Sequence, residues 1–337
     1  MADRWNVGAA TGLGSLPGTS ADEAARSVAG ELPELPYVAE LPDRGVGADM
    51  VGRAIGLLVD IFGEVVPSGW RISRRPGRDT RRAKDFHSWD LDAAEQHFAG
   101  AARVKVQLCG PWTLAASLEL PSGNRALTDL GAVADLGQSL AEGAGAQLAE
   151  LARRLPGTEL ILQLDEPGLP AVLAGSLPTA SGFGTVRPVD PAVVRGQLAT
   201  FSESLPALPR LVHCCHPDVP LTLLREAGFE AFALDVTKVG SGAARLDPIG
   251  EAIEAGAVLL AGLVPATRPA GAPKSLRDWA APLLELWDRL GFRRADLTQV
   301  VPTPTCGLAG ASAAWSIEAM RLSRELARAF QDPPAGW

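Results

Sequence analysis

The sequence predicts an α/β fold, a (β/α)8 TIM barrel in a single domain spanning residues 1–337. Eight short apolar runs alternate with longer stretches of helical period, and no long linker divides the chain. Chemically active side chains also stand where those runs end, the place where a barrel gathers its site. In order, the runs are "NVGAATGLGSL" near Val7, "PYVAEL" near Val38, "RVKVQLCG" from Arg103 and "ELILQLDEP" from Glu159. They continue with "RLVHCCH" from Arg210, "AFALDV" from Ala231, "AVLLAGLVP" from Ala257 and "LTQVVPTPTCG" from Leu297. Between them, "LTDLGAVADLGQSLAEGAGAQLAELARRL" repeats its apolar residues near the helical period, and "SLRDWAAPLLELWDRLG" does so up to a stop at Gly291. An open, doubly wound sheet is the competing pattern. "GLGSLPG" lacks the glycine spacing of a dinucleotide site.

Composition narrows the partners. At 47% hydrophobic residues the chain can bury a large core without disulfides, and its four cysteines are too few for a disulfide scaffold. A net charge of -8 with no Lys/Arg stripe argues against a nucleic-acid backbone as partner. The one basic run, "RISRRPGRDTRRAK" from Arg71 to Lys84, is broken by Gly and Pro and reads as a solvated loop, or as one meeting the anionic tail of a substrate. No apolar stretch suits a membrane span or a secretory signal, so the chain reads as cytoplasmic.

The strand ends carry Ser15, Glu40, Asp165-Glu166, His213, Cys215, Asp235 and Cys306. On a strand, alternate side chains share a face, so His213 and Cys215 point together while Cys214 points toward the helices. His216 lies past the strand beside Pro217, outside this alternation. Two readings of the pair are open: a metal site, or a hydrogen-bonded histidine with a small apolar thiol. Cys306, in a rigid Pro/Gly turn, and Asp235, on the neighbouring strand, favour the metal. One imidazole, two thiolates and a replaceable carboxylate suit Zn2+. Metal coordination deprotonates a thiol whose ordinary pKa is about 8.5, so such a site suits a small-molecule thiol as substrate. Glu40 and Asp165 suit its ammonium group, and Ser15 with nearby backbone N–H groups suits its carboxylate.

The spaced motifs resemble the catalytic C-terminal barrel of the cobalamin-independent methionine synthase family. "LGSLPGT" resembles Ile-Gly-Ser-Phe-Pro-Gln-Thr, and "VAELPDRGVGADMV" resembles His-Gly-Glu followed by Asp-Met-Val. "SGWR" resembles an Asn-Gly-Trp loop, "QLDEPGL" resembles Gln-Ile-Asp-Glu-Pro-Ala-Leu, and "PTCGL" resembles Pro-Asp-Cys-Gly-Leu. The resemblance implies zinc ligation by His213, Cys215, Asp235 and Cys306, with homocysteine held by Ser15, Glu40 and Asp165.

Several positions depart from the family pattern. Asp235 stands where the family has glutamate. Ser117, in "GPWTLAAS", stands where the family's tryptophan stacks on the folate pterin, with Trp112 nearby. The family's proton-transferring histidine has no clear counterpart around Ala266 and Thr267, and the N-terminal barrel of the full-length enzyme is missing. The expectation is a zinc-dependent S-methyltransferase acting on homocysteine or a similar thiol. Its donor is methyltetrahydrofolate, or methylcobalamin, the latter free or on a corrinoid protein. The alternatives are a uroporphyrinogen-decarboxylase-like barrel enzyme and a non-catalytic zinc- or thiol-binding protein.

Overall fold

A computed structural model describes residues 8–271, 273–334 and 337. Among these, the strands are β1 Phe62–Val66, β2 Gly69–Ser73, β3 Arg103–Cys109, β4 Leu118–Glu119, β5 Glu159–Asp165, β6 Arg210–His213, β7 Ala231–Asp235, β8 Val258–Val264 and β9 Val301–Pro304. Six of them form one parallel sheet in the order β3-β5-β6-β7-β8-β9, a half-barrel with helices between successive strands. These are the last six of the eight apolar runs. "LTQVVPTPTCG" is shorter than expected as a strand, because Arg294–Gln299 forms a 3-10 helix ahead of β9.

The first two runs are extended segments joined by single parallel bridges, Ser15 to Glu40 and Tyr37 to Lys105. Leu16 N–H donates to Glu40 O at 2.8 Å, Glu40 N–H to Gly14 O at 3.0 Å, and Val38 N–H to Lys105 O at 3.0 Å. At the other edge Thr11 N–H reaches Pro302 O of β9 at 3.4 Å. Asn6 and Val7, which open the first run, lie outside the described residues. The basic run is an exposed loop at its centre, Arg74 to Pro76, and regular structure at its ends. Arg71 to Ser73 belong to β2, which pairs antiparallel with β1, and Arg78 opens the helix Arg78–Phe98.

Two cores follow from the period-2 alternation of the strands. One apolar cluster, including Val104, Leu162, Val212 and Leu234, lies between sheet and helices. A second, including Ile161, Leu211, Ala231, Ala233, Leu260 and Val301, lines the concave face. Two residues further along that face stand Gln163, His213, Asp235, Gly262 and Thr303, so the apolar floor gives way to polar groups at the carboxyl ends. The helices are held by local chemistry. Asp49, Asp129 and Ser312 cap three of them, and Ser275 with Asp278 forms a reciprocal capping box on a helix that ends at Gly291 in the left-handed region. No helix among the described residues is long and apolar enough to cross a membrane.

Candidate metal centre

The register places Asp165 of β5 beside His213 of β6. Their side chains meet, with His213 Nδ1 2.7 Å from Asp165 Oδ1, both groups buried. Two residues on, past the end of β6, Cys215 returns to the same face. Cys306 reaches it from the turn after β9, its thiol 3.5 Å from the Cys215 sulfur. That approach depends on Gly262, where a Cβ would lie 2.8 Å from Leu234 O and 2.9 Å from the Thr305 Cα, so only glycine lets the last turn pass close to β8. The ligand atoms of His213, Cys215 and Cys306 all lie within 4.8 Å of one another.

These three fit a zinc-like ion. Two sulfurs bound at about 2.3 Å can be at most about 4.6 Å apart, which admits the observed spacing. With Nδ1 engaged by Asp165, the buried Nε2 has no hydrogen-bond partner. A carboxylate on one imidazole nitrogen and a free lone pair on the other is the arrangement that orients metal-binding histidines. Without a metal, a proton takes that lone pair at neutral pH, and a bound cation would replace it. Burial acts to lower the His213 pKa, but Asp165 and Cys215 outweigh it and carry it up to about 9. The Cys306 thiol and His213 hold Cys215 down, to about 4, so the cluster favours one thiolate and a positive charge beside it. Cys306, facing that thiolate, is pushed up.

Asp235 lies outside this group of three. Its carboxylate takes the Lys238 ammonium at 2.8 Å on Oδ2 and the Thr237 hydroxyl at 2.5 Å on Oδ1. Cys214 is 1% exposed and outside the group as well, and His216 is half exposed, its Nδ1 accepting from Asp218 N–H.

Ser15 packs against the turn that carries Cys306. Its Oγ accepts from Ala309 N–H at 3.3 Å, and a Cβ on Gly307 would sit 2.2 Å from that oxygen. Asp165 takes both of its described bonds on Oδ1, from His213 and from Gln163 Nε2 at 2.8 Å. Glu40 is buried, which raises its pKa, while Arg53 at 3.3 Å from Oε1 pulls it back. Glu166 does different work: its carboxylate accepts from the N–H groups of Trp112 and Thr113 and the Thr113 hydroxyl, anchoring the helix Pro111–Ser117. Trp112 is fully buried and donates its indole N–H to Val194 O, so it faces the helix layer.

Sequence reading missed two sets of residues. Arg53, Asp90 and Arg44 form a buried ion network behind Glu40. Lys105 and Gln163 lie inside the half-barrel beneath Asp165. A lysine at the centre of the apolar run "RVKVQLC", and a glutamine two residues before Asp165, were signals available for the second set.

Comparison with known protein families matches residues 8–329 to the family described as cobalamin-independent synthase, catalytic domain. Among solved structures the chain is similar to a B12-independent methionine synthase from a Shewanella species in complex with selenomethionine. The TM-score is 0.63 at 14% identity, over 96% of this chain and 97% of that one, a likeness of fold. A search of curated proteins finds no match.

Proposed function

The chain belongs to the cobalamin-independent synthase catalytic-domain family, and from that premise we propose that it is a zinc-dependent S-methyltransferase acting on homocysteine or a similar thiol. The observation that carries this reading is the convergence of His213, Cys215 and Cys306, with the imidazole Nε2 buried and unpartnered. These three hold the metal, and Asp235 is the replaceable fourth ligand. Bound zinc supplies the Lewis acidity that keeps an acceptor thiol deprotonated at neutral pH. Ser15 and the backbone N–H groups beside it receive the acceptor's carboxylate. Glu40 and Asp165 receive its ammonium, Asp165 through Oδ2 because Oδ1 is engaged by His213 and Gln163.

The reading treats residues 1–337 as one closed barrel, supported by the bridges that link the first two runs to each other and to β3, and by the Thr11 to Pro302 bond. Its donor is a methylated corrinoid, free or on a carrier protein. Folate demands more: a positioned pterin and a proton for the departing amine, help typically worth about 10²- to 10⁴-fold. Ser117 stands at the stacking position, and the neighbouring Trp112 is fully buried against Val194. A uroporphyrinogen-decarboxylase-like reaction leaves the thiol cluster without a role.

The test incubates zinc-loaded protein and homocysteine separately with methylcobalamin, methyltetrahydrofolate and its polyglutamate, and measures methionine by mass spectrometry. Methionine from methylcobalamin is expected. Efficient turnover of either folate overturns the donor assignment, and no methionine from any donor overturns methyl transfer to this acceptor.

A further inference from the structure

A chain of hydrogen bonds runs from the interior of the half-barrel to the candidate metal centre. Lys105 of β3, 0% exposed, donates from Nζ to Gln163 Oε1 at 2.8 Å. Gln163 Nε2 donates to Asp165 Oδ1 at 2.8 Å and to Leu13 O at 2.9 Å. Asp165 Oδ1 is in turn 2.7 Å from His213 Nδ1.

The direction of every bond is fixed by what its ends can do. Leu13 O is a backbone carbonyl and only accepts, so the amide nitrogen of Gln163 must face it. The amide oxygen then faces Lys105. Asp165 Oδ1 receives the amide N–H, and as an acceptor it requires the proton of His213 to sit on Nδ1. Nε2, buried and without a hydrogen-bond partner, is thereby left for the thiol cluster.

A lysine in this position needs a reason. Its described partners are neutral, the Gln163 oxygen and the face of Tyr37 at 5.1 Å, and an amine in an apolar interior is costly where a methionine would pack freely. We propose that Lys105 is a positioning residue: by holding Gln163 Oε1 it locks the amide, and through Asp165 it fixes the His213 imidazole with Nε2 open to Cys215 and Cys306. The inference deepens the proposed zinc site and rests on that reading for its consequence, but the lock itself exists without metal.

The test uses the full chain as wild type, Lys105→Met, Gln163→Met and the double variant, each checked for native secondary structure by circular dichroism. In metal-free, 15N-histidine-labelled protein the His213 Nδ1 proton gives a downfield resonance, and its exchange with water reports the Asp165 bond. Each single variant should speed that exchange about tenfold, the weight of one net hydrogen bond. Zinc affinity, measured by chelator competition, should fall about 10- to 100-fold, the usual cost of disturbing the support of a metal-binding histidine. The double variant should be no worse than Gln163→Met, because both changes break one chain. Unchanged exchange and affinity in folded Lys105→Met, or additive losses in the double variant, overturn the proposal. If Lys105→Met fails to fold, normal exchange and affinity in Gln163→Met overturn it equally. Should wild type take up no zinc while its Nδ1 proton still responds to Lys105→Met, the proposed function falls and the positioning role stands.

Discussion

Glu40 and His213 both stand near the carboxyl edge of the half-barrel, both are buried, and each has a charged neighbour, yet their surroundings are opposite in kind. Behind Glu40 opposite charges pair with one another. Arg53 reaches Glu40 at 3.3 Å and Asp90 at 2.5 Å, and Asp90 also takes Arg44 through both carboxylate oxygens, at 2.8 and 3.0 Å. The Arg44 guanidinium further lies 4.5 Å over the Phe86 ring. Around His213, Nδ1 is held by Asp165 while Nε2 is left to the side where the Cys215 and Cys306 sulfurs stand 3.5 Å apart, with His213 and Cys215 acting on each other's charge. The contrast separates groups that fix shape from groups that keep capacity for a ligand. Paired opposite charges hold their helices in place even though Arg44 Nε and Arg53 Nε are themselves without hydrogen bonds, whereas among the described residues His213 Nε2 is the one such nitrogen that faces two thiols and so has a ligand set around it.

The comparison is broken most directly at Asp90. Asp90→Ala leaves two buried guanidinium groups without their shared partner, which should destabilise the fold by about 3–5 kcal/mol in urea unfolding. Cys306→Ala in metal-free protein deletes only a half-buried thiol and should cost much less, while its zinc content falls well below that of wild type. Equal losses of stability in the two variants would erase the distinction between network and cluster.

The cluster was legible in the sequence for a local reason and the network was not. His213 and Cys215 are two residues apart on one extended run, so strand alternation alone puts them on one face and sends Cys214 away. Cys306 needed only the order of the strands. Arg53 and Asp90, in contrast, sit 37 residues apart on two helices whose docking no local pattern announces. Asp235 shows the limit of reading by position: the end of β7 is where it was placed, but what its carboxylate binds is decided by Lys238, one helical turn on. The basic run was read correctly at its exposed centre, Arg74 to Pro76, but its first residues belong to a hairpin strand held by its register with β1, which no composition rule exposes.

A smaller effect sharpens the comparison through pH. Burial lowers the Lys105 pKa to about 7, with Asp165 and Glu40 pulling the other way. In the unfolded chain a lysine keeps its proton up to about pH 10.4. Between these values the unfolded state binds more protons than the folded one, so this residue makes stability rise as pH increases from 7 toward 10. Below pH 7 its cost is fully present. Unfolding free energies of wild type and Lys105→Met across this range should therefore diverge most at neutral pH and converge toward pH 10. A constant difference between the two would show that Lys105 keeps its ordinary basicity inside the half-barrel.

The smallest effect is expected at Cys214, and it is the most discriminating because the residue shares its chemistry and its neighbourhood with Cys215. Cys214 is 1% exposed, and burial pushes its pKa up to about 12, so it remains a protonated, packed thiol at neutral pH. Its place is set by the strand. Cys214 N–H still donates to Ala233 O at 3.2 Å, which continues the β6–β7 ladder and turns this side chain away from the face that holds His213. Cys214→Ala should cost about 1 kcal/mol, the transfer free energy of one small apolar group, with zinc content unchanged. Cys215→Ala should do the reverse, sparing stability in the metal-free protein and losing zinc. If Cys214→Ala lost its metal as Cys215→Ala does, the alternation of faces could not be what selects the ligands.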